Sequence, residues 1–311
     1  KYYQYLINSE TGSYDSVQKI QQRLLTQLNQ DTGKIRQILR EQPSLLRKIQ
    51  QGTDLRKFSP KEILQTLRRK SASDFPELNR SLSYEIRYVH KSMRNFLSPA
   101  FYLTPPLDTG TPNVIYINPS AGTSSLELFT TLAHEGYPGH LYQSVYSTRY
   151  RQPSDTAPVH RLLWYGGYQE GWAVYVEMKG YDYAAELYTE NGAEDLAYGC
   201  RIEKANREIQ LCLSALLDFS IHYEGASLEQ VAHVLSSLGI SDAVTARNVY
   251  EYIAEEPANY MKYYIGYLEI LRLQDAAREL WQEEYSDLRF HKFFLENGPA
   301  DFTTLRELLF R

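Results

Sequence analysis

Amphipathic helical periodicity runs along most of this chain and limits its fold more than any other feature. The pattern predicts two helices within residues 13–50, the second broken at Pro43, and it recurs along the rest of the sequence. In the first of these helices, apolar side chains recur at steps of three and four residues, at Val17, Ile20, Leu24 and Leu28. Further helices are predicted at 59–70, 124–135, 168–179, 192–223, 227–238, 242–254, 260–285 and 301–310. The fold class is therefore mainly α.

The helical pattern is interrupted over residues 98–122. Five prolines and two glycines there accompany a short β-branched run, NVIYIN, at residues 113–118. This run predicts a short β edge, which could pair with an extended peptide or belong to a structural hairpin. No repeat or low-complexity linker divides the chain. We predict one domain over 1–311, in which helices of 1–97 cover a core formed by 98–311.

Composition excludes several classes of partner. With 311 residues, 43% of them hydrophobic, the chain can bury a large core. Its net charge of −5, with both signs interspersed, provides no basic surface for nucleic acid or anionic membranes. No stretch approaches the roughly 18 apolar residues of a membrane span. An extracytoplasmic or cell-surface location is favoured over a cytoplasmic one, and no oligomeric state is predicted.

The two cysteines, Cys200 and Cys212, lie in one predicted helix. Twelve residues of helix separate them by roughly 18 Å along its axis, which is too far for a disulfide between them. We therefore expect two packed free thiols.

Candidate chemistry is concentrated in the stretch HEGYPGH at residues 134–140. Zinc proteases commonly place two histidines four residues apart on one helix, with a glutamate beside the first. Here His134 and His140 are six apart, which on a straight helix puts them on different faces. The intervening Gly-Tyr-Pro-Gly can break a helix. The stretch therefore predicts a distorted helix that joins both histidines at one metal, with Glu135 as general base, or a simple Pro-Gly helix end.

A catalytic zinc needs a third protein ligand and an open position for water. Glu170, thirty residues after His140 in the stretch YQEGWAVYVE, is the candidate. Glu177 follows seven residues later, on the same helix face but about 10 Å further along the axis. We therefore expect it to contact a metal-binding side chain and not the metal itself. A solvated helix face is the alternative for a lone glutamate.

The stretches HEGYPGHLYQ and EGWAVYVE together resemble the motif pair of the bacterial domain of unknown function 885 family, which is regarded as zinc-dependent and metallopeptidase-like. Segments 201–230, 257–273 and 289–298 resemble further parts of the family, and the resemblance covers nearly the whole chain. It implies a helical, gluzincin-like fold. It also implies a Zn²⁺ ion held by His134, His140 and Glu170, with Glu135 as general base.

Two details qualify this resemblance. Many family members have a second histidine where this chain has Leu141. The opening segment, residues 1–17, resembles a part that lies mid-family. We therefore expect that this chain is the C-terminal part of a longer protein and that an upstream region is missing from it.

Peptide hydrolysis also requires a donor for the developing oxyanion. We select His222, which Asp218 could orient from four residues before it, and Tyr264, because the resemblance implies that the family keeps a tyrosine at this position before Ile265-Gly266. Tyr263 is the nearest rival, since one residue turns a helical side chain by about 100°. Arg201 and Arg207 could bind a substrate carboxylate or be ordinary surface groups.

The leading hypothesis is a zinc-dependent hydrolase that acts on a peptide or small peptide-like substrate. One alternative is a metal-free or inactive peptide-binding scaffold of the same fold. A second is a non-haem iron(II) enzyme, because such sites also use two histidines and one carboxylate. Iron enzymes do not need the glutamate beside the first histidine, so the sequence favours the hydrolase.

Overall fold

A computed structural model describes residues 1–45, 58–78, 83–106, 112–150 and 164–311. Helices dominate this part of the chain, as the periodicity predicted. The helices are α1 (Tyr2–Thr11), α2 (Val17–Glu41), α3 (Pro60–Lys70), α4 (Ser125–Glu135), α5 (His140–Tyr150), α6 (Gly166–Glu190), α7 (Glu194–Phe219), α8 (Leu228–Ser237), α9 (Ala243–Glu255), α10 (Met261–Trp281), α11 (Asp287–Asn297) and α12 (Phe302–Leu309). The strands are β1 (Glu85–Tyr88), β2 (Ala100–Leu103) and β3 (Val114–Ile117).

The N-terminal part of the chain differs from the prediction. Two helices were expected within residues 13–50, the second broken at Pro43, but α2 is one helix that continues through Gly33. A glycine inside a helix costs only about 1 kcal/mol, and the packing of α2 on α7 outweighs that cost. The helix ends at Glu41, two residues before Pro43, as the proline predicted. The remainder of the predicted second helix, 46–50, lies outside the described residues.

The centre of the molecule is α6, which packs against α4, α7 and α10. Helices α6 and α10 pack closely where Gly171 meets Gly266, since a Cβ on Gly171 would lie 2.4 Å from the carbonyl carbon of Gly266. Trp172 beside this crossing is completely buried. The main hydrophobic core includes side chains from Tyr3 to Leu309, so it draws on both ends of the chain. A rigid, buried α6 follows from this packing.

The three strands form one sheet in the order β1–β3–β2. Strand β3 is parallel to β1 and antiparallel to β2. The strand predicted near 113–118 is therefore confirmed, but its predicted edge position is wrong. Both of its sides are paired by strands that the periodicity did not reveal, since four-residue strands leave too short a pattern. The strand with an open side next to the helices is β2.

Two further expectations concern helix length and the cysteines. None of the helices in the described ranges is long and apolar enough to cross a lipid bilayer. Cys200 and Cys212 are free thiols and are both buried, as expected.

A buried histidine ties α11 to the segment after α3. His291 Nδ1 donates to the carbonyl oxygen of Asp74 at 2.6 Å, and its Nε2 lies 2.8 Å from the hydroxyl of Tyr175. Its ring stacks on Phe75 at a centroid distance of 4.0 Å. Burial lowers the pKa of His291 to about 3, and the positive charge of Lys179 acts in the same direction. The neutral imidazole is thus part of the folded core.

We predict that acidification destabilises the fold through His291. Because its folded pKa is below the ordinary value of 6.5, its stabilising contribution is complete above pH 6.5 and is lost as pH falls towards 3. The free energy of unfolding should fall by up to about 1.4 kcal/mol per pH unit from this group alone. Urea unfolding between pH 7 and 4.5 measures the slope. His291→Gln should reduce it and the exposed His233→Gln should not; equal slopes in all three proteins would contradict the prediction.

Candidate metal centre

The break between α4 and α5 occurs within the Gly-Tyr-Pro-Gly stretch. Helix α4 ends at Glu135, and α5 begins at His140. Gly136 leaves the helical conformation, with φ −107° and ψ −99°. The indole N–H of Trp172 donates to the carbonyl oxygen of Pro138 at 3.0 Å. The buried core of α6 therefore holds the connecting segment in place.

Gly139 permits the close approach of the two helix ends. A Cβ at this position would lie 1.7 Å from the carbonyl oxygen of His134. No residue other than glycine fits there without a shift of the backbone. The carbonyl of Gly139 then accepts from the backbone N–H of Gln143 at 2.8 Å, within the first turn of α5.

The break brings the two histidines together. The ring centroids of His134 and His140 are 5.0 Å apart, with the planes at 82°. One possible ligand atom from each of His134, Glu135 and His140 lies within 4.8 Å of the other two. A straight helix would have placed these rings on different faces. The end of α4 and the start of α5 thus bring three side chains that can ligate a metal to one point.

Glu170 joins this group from the first turns of α6. Its Oε2 lies 3.3 Å from His140 Nε2 and 3.8 Å from His134 Nε2. Burial raises the pKa of Glu170, but the hydrogen bond and the charge of His140 outweigh burial, so the net shift is downward. We refer to His134, Glu135, His140 and Glu170 as the metal cluster. Each of these side chains is at most 21% exposed.

Glu177 contacts the candidate metal ligand His134, as expected. Its Oε2 lies 2.9 Å from His134 Nδ1, and its Oε1 accepts from Arg207 Nε at 2.8 Å. Burial would raise the pKa of Glu177, but Arg207 and His134 hold it at about 2. Because the carboxylate is ionised, His134 Nδ1 carries the proton and His134 Nε2 faces the cluster.

The charges around His134 suit a cation. Burial alone would lower the pKa of His134, but the hydrogen bond to Glu177 and the charges of Glu135, Glu177 and Glu170 raise it to about 9. Several carboxylates in one buried site therefore stabilise positive charge there. A divalent ion ligated by neutral histidines would satisfy the same field without protonation.

The carboxylate of Glu135 is held by the sheet. Its Oε2 accepts from the backbone N–H of Tyr102 in β2 at 2.9 Å. This contact uses the open side of β2, because the other side pairs with β3. Sequence analysis identified Glu135 but missed this donor, because no local pattern indicates which backbone group faces a distant helix.

The contacts of His222 are with α1 and α9 and not with a residue of the metal cluster. It lies in a π-helical turn, Ser220–Glu224, that follows α7. Its Nε2 lies 2.8 Å from the carbonyl oxygen of Ile253, and its ring stacks on Tyr3. The Oδ1 atom of Asp218, expected to orient His222, instead accepts from the hydroxyl of Tyr3 at 2.6 Å. These contacts explain His222 as a packing residue between α1 and α9.

Two adjacent tyrosines on α10 face different surroundings. The hydroxyl of Tyr264, the selected donor, is fully buried and donates to Asp31 at 3.0 Å. Tyr263 is half-buried, and after burial itself the charges of Glu170 and Glu135 are the main causes that raise its pKa. One residue turns a helical side chain by about 100°, so Tyr264 faces α2, whereas Tyr263 points to another side of α10, where the negative charges of Glu170 and Glu135 act on it.

A cavity of about 940 Å³ opens beside the metal cluster. His134 and Glu135 line it from α4, and α6 and α7 form the opposite walls. Its size is that of a pocket for a short peptide or another small ligand. Side chains able to ligate a metal, an adjacent carboxylate and a cavity therefore lie at one place.

Comparison with known proteins places this chain among proteins of unknown function. The model of a bacterial protein family of unknown function, DUF885, matches residues 1–309. A protein described as a "putative lipoprotein" from Colwellia psychrerythraea has a similar structure, with a TM-score of 0.80 at 21% identity, over 99% of this chain and 54% of that one. A "putative lipoprotein of unknown function" from Shewanella oneidensis has a TM-score of 0.74 at 17% identity, over 100% of this chain and 59% of that one. The chain thus spans little more than half of these neighbours, and no curated protein matches it.

We predict that Gly139→Ala disrupts the metal centre. The added methyl group would collide with the His134 backbone, so the ends of α4 and α5 must separate, at a cost of about 2–4 kcal/mol. Urea unfolding measures this loss. Gly33→Ala is the matched control, because a Cβ there meets no atom within 4 Å and should stabilise α2 by about 0.5–1 kcal/mol. A Gly139→Ala protein as stable as the parent would show that the close approach is not required.

Proposed function

We propose that this chain, which belongs to the bacterial DUF885 family of proteins of unknown function, carries the active site of a zinc-dependent peptidase. The observation that carries the proposal is the convergence of His134, His140 and Glu170, with Glu135 at the same point. Three ligands with an adjacent carboxylate are what zinc-dependent hydrolysis requires.

The donor groups fit a zinc ion. Two imidazole nitrogens and one carboxylate oxygen form a common ligand set of catalytic zinc. The Glu177 carboxylate at His134 Nδ1 is the outer partner that fixes the tautomer of such a histidine and increases its basicity. When bound, zinc would act as a Lewis acid towards water and the substrate carbonyl. Iron(II) accepts the same ligands, but the additional Glu135 carboxylate is more useful to a hydrolase.

Glu135 acts as the general base in this proposal. Its carboxylate takes a proton from the attacking water and delivers it to the leaving amine. The backbone N–H of Tyr102 holds one carboxylate oxygen, so the other remains free for this transfer. Tyr263 is the candidate donor to the developing oxyanion, because it is the tyrosine whose hydroxyl experiences the charges of Glu135 and Glu170.

Strand β2 offers a binding surface for an extended substrate. The backbone N–H of Asn118 donates to the carbonyl oxygen of Pro99 at 2.8 Å, so these two residues form a hydrogen-bonded pair. Such pairs alternate along an antiparallel ladder, so the backbone N–H and C=O groups of Ala100 and Tyr102 point away from β3. Ala100 lines the cavity beside the metal cluster. The N–H of Tyr102 on this side already holds Glu135. A peptide added along it would use the other outward backbone groups and pass Glu135, which supports a peptide as substrate.

The structural neighbours support a location outside the cytoplasm. Both are described as putative lipoproteins. We propose the same extracytoplasmic or cell-surface setting for this chain.

We predict that Glu135→Gln retains the metal and loses activity. The amide can still contact the Tyr102 N–H through its oxygen but cannot accept the proton of water, so peptide hydrolysis should fall on the order of 10²–10⁴-fold. Elemental analysis should find about one zinc per chain in both proteins. Chelation should abolish hydrolysis by the parent, and added zinc should restore it.

Each alternative has its own result in these measurements. Undiminished hydrolysis by Glu135→Gln would remove Glu135 from the mechanism. A parent protein that binds no stoichiometric metal would indicate a scaffold, and redox-active iron would indicate a non-haem iron(II) enzyme.

We also predict that Glu177→Gln weakens zinc binding by about 10–100-fold. The substitution removes the negative charge that orients His134 while it preserves the size of the side chain. Competition with a chromophoric chelator measures the affinity. Glu203→Gln is the control, because Glu203 lines the same cavity and forms no bond to a metal-cluster residue. Equal zinc affinities in the two variants would contradict a role for Glu177.

A further inference from the structure

Among the described residues that line the cavity beside the metal cluster, Arg207 on α7 is the single arginine or lysine. Its Nε is bonded to Glu177, and no described residue forms a hydrogen bond with its two terminal nitrogens. The side chain is 38% exposed. A guanidinium with one edge anchored and its terminal N–H groups at a cavity is well suited to bind a carboxylate.

The other charges of the cavity restrict where an anion can bind. Four carboxylates also line it, those of Glu127, Glu135, Glu177 and Glu203, and Glu177 is the one that forms an ion pair with Arg207. Their negative charge disfavours a ligand carboxylate elsewhere along these walls. His134, the other basic group of the lining, is a proposed metal ligand, so Arg207 is the position at which a substrate carboxylate gains a positively charged partner.

We propose that Arg207 binds the C-terminal carboxylate of the substrate, so that the protein acts as a carboxypeptidase. This inference rests on the proposed peptidase function. Water adds across the scissile amide, its hydroxyl to the carbonyl carbon and its proton to the leaving nitrogen. The released fragment then carries the carboxylate that Arg207 held.

The position of Arg207 limits the length of that fragment. Two hydrogen bonds, of 2.8 and 2.9 Å, connect Arg207 through Glu177 to His134. With the widths of the intervening groups, the guanidinium lies within roughly 12 Å of His134 Nε2, and an extended peptide covers about 3.3–3.6 Å per residue. The scissile bond therefore lies at most about three residues from the C-terminus.

The test compares two substrates on the unaltered chain: N-acetyl-tetra-alanine with a free carboxylate and the same peptide as its C-terminal amide. The zinc-loaded protein should hydrolyse the free acid with kcat/KM on the order of 10–100-fold higher than the amide. Mass spectrometry should identify released fragments of one to three residues. Equal rates for the two peptides, or a higher rate for the amide, would overturn the proposal.

Substitutions of Arg207 distinguish binding of the substrate carboxylate from a role that only positions Glu177. Arg207→Met should abolish the preference for the free acid, whereas a loss of Glu177 positioning alone would slow both peptides equally and preserve the preference. Arg207→Lys should retain part of the preference, because it keeps the charge. Arg201→Met is the matched control and should behave as the parent, because Arg201 lies on the same helix, outside the cavity, over the ring of Tyr198.

Binding to the inactive Glu135→Gln chain tests the inference independently of hydrolysis. Calorimetry should show that the free acid binds on the order of 10–100-fold more tightly than the amide, and that Arg207→Met removes the difference. If neither peptide is hydrolysed by the parent but this binding preference is present, the peptidase function fails and carboxylate recognition stands. Equal binding of both peptides, or binding of neither, overturns the role of Arg207.

Discussion

The candidate site depends on the contact between the end of one helix and the start of the next. The backbone at Gly139 lies so close to the His134 carbonyl that only a hydrogen atom fits between them. Trp172, in the fully buried core, anchors the connection through the Pro138 carbonyl. Without this approach, His134 and His140 would lie on separate faces of one helix, and Glu170 could not lie near both of them.

Helix α6 links this contact to the rest of the molecule. It contributes Trp172 to the core, Glu170 to the metal cluster and Glu177 to the outer side of His134. Burial of two carboxylates on one helix is costly unless cations compensate them. The histidines supply that compensation on one side and Arg207 on the other. Arg207 thereby stabilises the site electrostatically and also exposes its free edge to the cavity.

Sequence reasoning reached the site residues more easily than their surroundings. The spacing of His134, Glu135 and His140, together with the residues able to break a helix, indicated where a metal could bind, because these signals are local. The choice between Tyr263 and Tyr264 depends on the rotation of α10 about its axis, which the Gly171–Gly266 crossing sets. His222 illustrates the same limit, since its partner Ile253 belongs to another helix. Four-residue strands were missed for a different reason, their short periodicity.

The sequence by itself determined the mainly helical fold class, the break after Glu135 and the identity of the groups able to ligate a metal, because these follow from periodicity and from the chemistry of adjacent residues. Only the tertiary structure decided that β2, not β3, meets Glu135, that Tyr264 is buried against Asp31 of α2, and that Arg207 pairs with Glu177 at the cavity. Each of these contacts joins elements that are far apart in the sequence. Their relative positions depend on how the whole core packs, which no local sequence pattern indicates.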